Sequence, residues 1–156
     1  MLLDFYSLSK FGVEISRIGD SAFHGETSLF IEDIINKKVL HKVFAVLRGE
    51  NVAGFLILST VLDEAEILEV AVSENFRKNG IASEIMEEVF EWCGKNGIVQ
   101  IFLEVRESNF PARAYYKKYG FIENGVRKNY YRDPVENAVL MSKKLSRYVK
   151  AEIAEK

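Results

Sequence analysis

The chain has 156 residues, 48% of them hydrophobic and 28% charged, with a formal net charge of −2. Those values fit one folded domain with one core and exclude a disordered chain, and the charge leaves no basic footprint for nucleic acid. One cysteine, Cys93, excludes an internal disulfide framework, and two histidines, His24 and His41, give no metal-ligand spacing, so no metal is expected.

In chain order, apolar residues at helical spacing (Phe11, Ile15, Ile18, Phe23; then Leu29, Phe30, Ile34) predict two helices over 11–23 and 26–36, joined near His24-Gly25. Lys42 to Leu47, Val52 to Thr60 and Ala65 to Val72 are apolar, β-branched runs separated by polar turns, and they read as three antiparallel strands. Ile81 to Trp92 carries the clearest helical stripe, Ile81, Ile85, Met86, Val89 and Phe90, and Gly94 with Gly97 ends it. Val99 to Val105 returns to strand. Asn109 to Tyr119 is a helix that Ser108 or Asn109 can cap, with Pro111 in its first turn and Gly120 at its end. Phe121 to Tyr131 and Ala138 to Leu145 read as a closing pair of strands. The order ααβββαβαββ, without repeat or linker, predicts a single α/β (α+β) domain over 1–145 and an extension over 146–156. Met1 to Tyr6 lacks a signal-peptide pattern and no apolar run approaches the ~20 residues of a membrane span, so a cytoplasmic location without a membrane partner is expected.

Two features carry chemistry. Arg77-Lys78-Asn79-Gly80-Ile81-Ala82 joins a strand to a helix, and free N–H groups at that helix start form either a seat for a phosphate group or a plain turn. In Val99 to Val105, period two sets Gln100, Phe102 and Glu104 on the face opposite Val99, Ile101, Leu103 and Val105. Glu104 then ends a strand inside the sheet, where an ionised carboxylate needs water, a cation or hydrogen bonds, Arg106 being one available partner. Glu69, between Leu68 and Val70, poses the same question on the neighbouring strand. Cys93 and the histidines have no recognisable catalytic partner.

The segment from Leu68 through Met141 resembles the GCN5-related N-acetyltransferases (GNAT), and among them the RimI-type ribosomal-protein alanine acetyltransferases. Arg77, Gly80 and Ala82 satisfy the family's Q/R-x-x-G-x-G/A loop. Leu103-Glu104-Val105-Arg106-Glu107-Ser108-Asn109, Ala114 to Phe121, Arg127-Lys128-Asn129-Tyr130-Tyr131 and Glu136 to Met141 match four further blocks in order.

The resemblance implies a mixed sheet splayed around an acetyl-CoA cleft, with no metal. Val70, Ala71 and Val72 would pair with the pantetheine arm; Arg77, Lys78, Asn79, Gly80, Ile81 and Ala82 would hold the pyrophosphate; Asn109 would contact the cofactor. Glu104 aligns with the general base and Tyr116 with the general acid. A substrate ammonium must lose a proton before it attacks the thioester, and a phenol can protonate the departing thiolate, so both residue types suit the reaction. Without the motif, Tyr115, Tyr116 and Tyr119 read as packing. Tyr130 and Tyr131 line the peptide slot by resemblance, or pair across a hairpin; Glu69 lies on the acceptor side and is a second candidate for recognising or deprotonating the amine.

The RimI-type branch usually carries a Pro-Trp element near the joint of its first two helices, and Ala22 to Thr27 lacks it, a departure that bears on the acceptor. The implied activity is acetyl-CoA-dependent acetylation of a protein N-terminus, such as that of a ribosomal protein. The alternatives are a lysine side chain or small amine as acceptor, and a non-catalytic acyl-CoA-binding module. In the extension, Leu145, Tyr148, Val149, Glu152 and Ile153 fall at helical spacing and offer a stripe to the domain or to a second copy in a homodimer.

Overall fold

A computed structural model gives the structure of the chain and describes residues 1–23 and 26–146. Helices α1 (Phe5–Phe23) and α2 (Glu26–Ile35) are followed by strands β1 (Lys42–Arg48), β2 (Asn51–Val61) and β3 (Glu64–Val72). Helix α3 (Ile81–Lys95), β4 (Gln100–Arg106), α4 (Phe110–Lys118), β5 (Ile122–Tyr131) and β6 (Glu136–Lys144) complete the domain. The element order is the expected one. The helix joint at 24–25 and the stripe predicted beyond residue 146 lie outside the described residues.

Helix α1 starts at Phe5, earlier than the predicted Phe11, because Asp4 caps it: Ser7 N–H donates to Asp4 Oδ1 at 2.7 Å. The extra turn adds Leu8 to the buried stripe of Phe11 and Ile15. Where α1 crosses α2, the Gly19 backbone lies against Thr27, which is fully buried; a Cβ built on Gly19 would sit 2.1 Å from Thr27 Oγ1. Gly19→Ala must push the two helices apart and is expected to cost roughly 1–3 kcal/mol, read as a lower urea midpoint with an unchanged slope.

The sheet runs β1-β2-β3-β4-β6-β5, and only β3 and β4 are parallel neighbours. Helices α1 and α2 cover one face through Leu8, Phe11, Ile15 and Ile31. Helices α3 and α4 cover the other through Ile81, Ile85, Met86, Val89 and Tyr116. Strand β4 alternates as predicted, with Ile101, Leu103 and Val105 in the α3/α4 layer.

Two irregularities of β3 shape the middle of the sheet. Strand β3 has a bulge: Ile57 pairs with Glu69 but Leu58 pairs with Ile67, so Leu68 is the extra residue. Ala65 and Ile67 face α3, and beyond the bulge it is Val70 and Val72 that do so, while Leu68 and Ala71 pack toward α1 and α2. Glu69 thereby turns to the α1/α2 face, which uninterrupted alternation from Ile67 would have denied it. The second irregularity is a fork. Pairing of β3 with β4 runs from Glu64↔Gln100 to Ile67↔Leu103 and stops, after which Glu69–Val72 pairs only with β2 and Glu104–Arg106 only with β6. No helix among the described residues is long and apolar enough to cross a membrane.

Candidate active site

Parallel strands bring their carboxyl ends to one side of the sheet, and the helices that succeed them start there. Helix α3 begins at Gly80, whose φ of 73° and ψ of 12° place it in the left-handed region, and no side chain caps the helix. A Cβ at Gly80 would meet nothing within 4 Å, so glycine serves the backbone conformation and leaves the approach open. The first-turn N–H groups of Ile81, Ala82 and Ser83 therefore stand uncapped beside Lys78, the arrangement an anionic phosphate group requires. Asn79 Nδ2 donates to the Arg77 carbonyl at 3.0 Å and shapes the loop. The Tyr115 hydroxyl donates to the Ala82 carbonyl at 2.6 Å and ties α4 to the first turn of α3. Asn109 caps α4, accepting from Ala112 N–H at 3.2 Å. Val70, Ala71 and Val72 lie on the part of β3 that has parted from β4, so their main chain borders the fork.

The opposite face is acidic. The Glu104 side chain is 18% exposed, and its Oε1 lies 3.1 Å from Arg127 Nη2. Tyr130 hydrogen-bonds to the same carboxylate, and the Arg127 guanidinium stacks over the Tyr130 ring at 5.0 Å. The partner suggested by proximity in sequence, Arg106, goes elsewhere: it pairs with Glu136 at 3.3 Å and lies over the Tyr131 ring at 4.3 Å. Glu66 joins this group. Its carboxyl is pushed up by burial and by the Glu104 charge, and held down by Arg127. Sequence reading passed over Glu66, although its pairing partner Phe102 stands on the Glu104 face of β4. Further along the fork, burial pushes the Glu69 carboxyl up to about 7.

Tyr116 is buried in the α3/α4 layer against Tyr115 and Phe121, so the packing reading of the sequence is met. Burial, with Tyr131 next, pushes its hydroxyl well above the usual phenol range, and it keeps its proton at neutral pH. Tyr131, raised to about 12 by burial and then by Glu104, feels the Glu104 charge and itself acts on Tyr116. Cys93 is fully buried with its thiol pushed up to about 12, too high for a nucleophile. His41 packs its ring against Phe30. Among the described residues no group of three His, Cys, Asp or Glu could hold a metal ion.

The family model for the acetyltransferase (GNAT) family matches residues 14–121, a span that includes the forked strands and the uncapped start of α3. The chain belongs to the acetyltransferase (GNAT) family. As a GNAT protein it is an acetyl-CoA-dependent N-acetyltransferase. The Escherichia coli (strain K12) ribosomal protein bS18-alanine N-acetyltransferase is 34% identical over 105 residues, 66% of this chain and 71% of that one. The crystal structure of the ribosomal-protein-S18-alanine N-acetyltransferase from Escherichia coli superposes with a TM-score of 0.80 at 28% identity, covering 97% of this chain and 96% of that one. An aminoglycoside 6'-N-acetyltransferase solved with coenzyme A shares the fold, with a TM-score of 0.71 at 16% identity over 86% of this chain and 91% of that one.

Proposed function

We propose that this GNAT enzyme acetylates the N-terminal α-amine of a protein, with the alanine terminus of a ribosomal protein as its acceptor and the cytoplasm as its place of work. The observation that carries the reading is the fork between β3 and β4, which has an anion seat on one face and carboxylates on the other. The relatives named for ribosomal-protein alanine acetylation support the choice of acceptor. Acetyl-CoA supplies an activated thioester, and the residues fit it: the open approach at Gly80 and the uncapped start of α3 suit its pyrophosphate. Arg77 to Ala82 hold that group in this reading, Val70 to Val72 offer main-chain partners to the pantetheine, and Asn109 borders it.

Glu104 accepts the proton that the acceptor ammonium must lose, directly or through water, and Tyr116 returns a proton to the departing thiolate sulfur. Tyr116 carries its phenolic proton at neutral pH and so has one to give. Tyr130, Tyr131 and Glu69 line the acceptor side. No enzyme nucleophile is needed, since the amine attacks the thioester directly.

Acetyl transfer followed by intact mass tests the reading, with a panel of short peptides bearing free or blocked N-termini, free lysine and spermidine. Transfer confined to free peptide N-termini, graded by their first residues, is the expected result. Transfer to lysine or spermidine alone would replace the acceptor and keep the chemistry. Acetyl-CoA binding without transfer to any amine would favour a binding module.

A further inference from the structure

Strand β5 carries a bulge near its end, and that bulge supplies both groups held against Glu104. Arg127 pairs with Ala138 and Tyr131 with Glu136, so Lys128, Asn129 and Tyr130 together oppose Asn137. Asn129 takes a φ of 52°, in the left-handed region, and its N–H donates to Asn137 Oδ1 at 3.0 Å. Asn137 Nδ2 in turn donates to Glu107 Oε2 at 3.2 Å, which pins the middle of the bulge. Strand β6 separates β5 from β4, and the residue opposite Arg127 is Ala138, fully buried and small enough to let the Arg127 stem cross to Glu104.

In this state Glu104 is a hindered base. Its carboxylate holds the Arg127 guanidinium at 3.1 Å and the Tyr130 hydroxyl. A base must come within about 2.6–3.2 Å of the proton it takes, and a guanidinium on the carboxylate fills that place and weakens its hold on a proton. The titratable groups acting around Glu104 are Arg127, Tyr130 and Tyr131 from β5 and Glu66 from β3. Glu66 pairs with Phe102, and alternation sets Glu104 on the Phe102 face of β4, diagonal to Glu66. The Arg127 side chain is half-exposed, and its charge acts on Glu66 as well as on Glu104. One guanidinium thus serves two carboxyls, of which the reaction uses one.

We propose, resting on the reading of Glu104 as the base, that Arg127 is a positioning residue shared between Glu104 and Glu66. With the acceptor slot empty it pins Glu104 from the β5 bulge; when the amine enters, it passes to Glu66 and frees Glu104 to take the proton. The exchange keeps charge balanced. One guanidinium faces two carboxylates before the acceptor arrives, and the ammonium brings the second positive charge. The N–H bond then breaks with its electron pair left on nitrogen, the proton joins a Glu104 oxygen, and Arg127 keeps Glu66 as its counter-ion while Glu104 is neutral. Without Glu66 the guanidinium has no second carboxylate to go to and stays on the base.

The pH dependence of acetylation of a short peptide beginning with alanine tests the exchange, because kcat/KM for the acceptor reports the base in the free enzyme and kcat the base in the complex. A guanidinium holds a carboxyl down, so in Arg127→Gln the acid limb of kcat/KM is expected to move up by about half a pH unit, the size of a half-exposed ion pair. The acid limb of kcat is expected to stay in place, since Arg127 has by then left Glu104. Arg127→Lys keeps the charge and is expected to bring the kcat/KM limb back toward native. Glu66→Gln leaves Arg127 on the base and is expected to lower kcat at neutral pH about threefold, and adding Arg127→Gln to it is expected to restore kcat. A kcat/KM limb that does not move in Arg127→Gln overturns the proposal. Equal movement of both limbs also overturns it, because Arg127 is then a fixed partner of Glu104. Losses in kcat that add between Glu66→Gln and Arg127→Gln, with a lower melting temperature in each, would show a structural role and overturn it too. Native turnover in Glu104→Gln is the separate failure of the base reading, and the exchange falls with it. If the native enzyme acetylates lysine or spermidine and no α-amine, the N-terminal reading fails instead, and the same profiles on that amine decide the exchange.

Discussion

Glu104→Gln is expected to lower kcat by about 10²-fold or more while leaving the dissociation constant for acetyl-CoA at its native value. The substitution keeps volume and a carbonyl oxygen, so Tyr130 retains an acceptor and β4 keeps its register between β3 and β6. An amide cannot take a proton from an ammonium, and the substitution also exchanges the ion pair with the half-exposed Arg127 for a neutral hydrogen bond. The uncapped start of α3, where the proposed function seats the pyrophosphate, lies on the other side of the fork and is untouched. Steady-state kinetics with a binding isotherm for acetyl-CoA separates the two effects. Native turnover in Glu104→Gln would reject the base assignment and move the role to Glu66 or Glu69, the two carboxyls on the same face that burial pushes up.

The second large effect is on stability and its pH dependence. The folded protein holds the Glu69 proton up to about 7, against an ordinary value of 4.5. A carboxyl raised on folding binds its proton more tightly in the native state, so its contribution is fully present below about pH 4.5 and is lost as pH rises through 7. Across that window the native protein should lose about 3 kcal/mol that Glu69→Gln does not lose. The variant is therefore expected to gain on the native protein between pH 5 and 8, by an amount that levels off above pH 8. Urea unfolding of both proteins at a series of pH values measures it. A difference that stays flat across the window would mean that Glu69 is ionised throughout in the folded state.

How much of the molecule was legible depended on whether a property is local. Helix α3 could be read from its stripe and its glycines, the cap of α4 from Asn109 and Pro111, and the faces of β4 from strict alternation, because each is set by residues within a turn or a strand. The order of elements came from the same signals, and the structure has that order. The bulge at Leu68 could not be read, since it is a mismatch of register between two strands and leaves no mark in one of them. It decides which face Glu69 occupies. The partner of Glu104 escaped for a related reason: Arg127 sits on β5, which reaches β4 only through β6, whereas Arg106 is a neighbour in sequence whose side chain is taken by Glu136 and the Tyr131 ring. Glu66 was hidden by its setting among other acidic residues, and only the pairing of β3 with β4 brings it beside Glu104. The early start of α1 did leave a signal, Asp4 ahead of Leu8 at helical spacing from Phe11, which the pattern of large apolar residues outweighed.

The fork also sets the traffic of the reaction. Its two walls diverge between opposite faces of the sheet, with the uncapped α3 terminus on one side and the Glu66, Glu69 and Glu104 carboxyls on the other. Under the proposed function, a nucleotide-bearing donor and a chain-terminal acceptor would therefore enter through separate doors and meet in the middle. Neither has to leave before the other arrives, and the acetylated terminus can withdraw while the spent thiol is still held. With the proposed protein N-terminus as acceptor, only its first residues would pass the acidic door, and the bulk behind them could be as large as a folded protein.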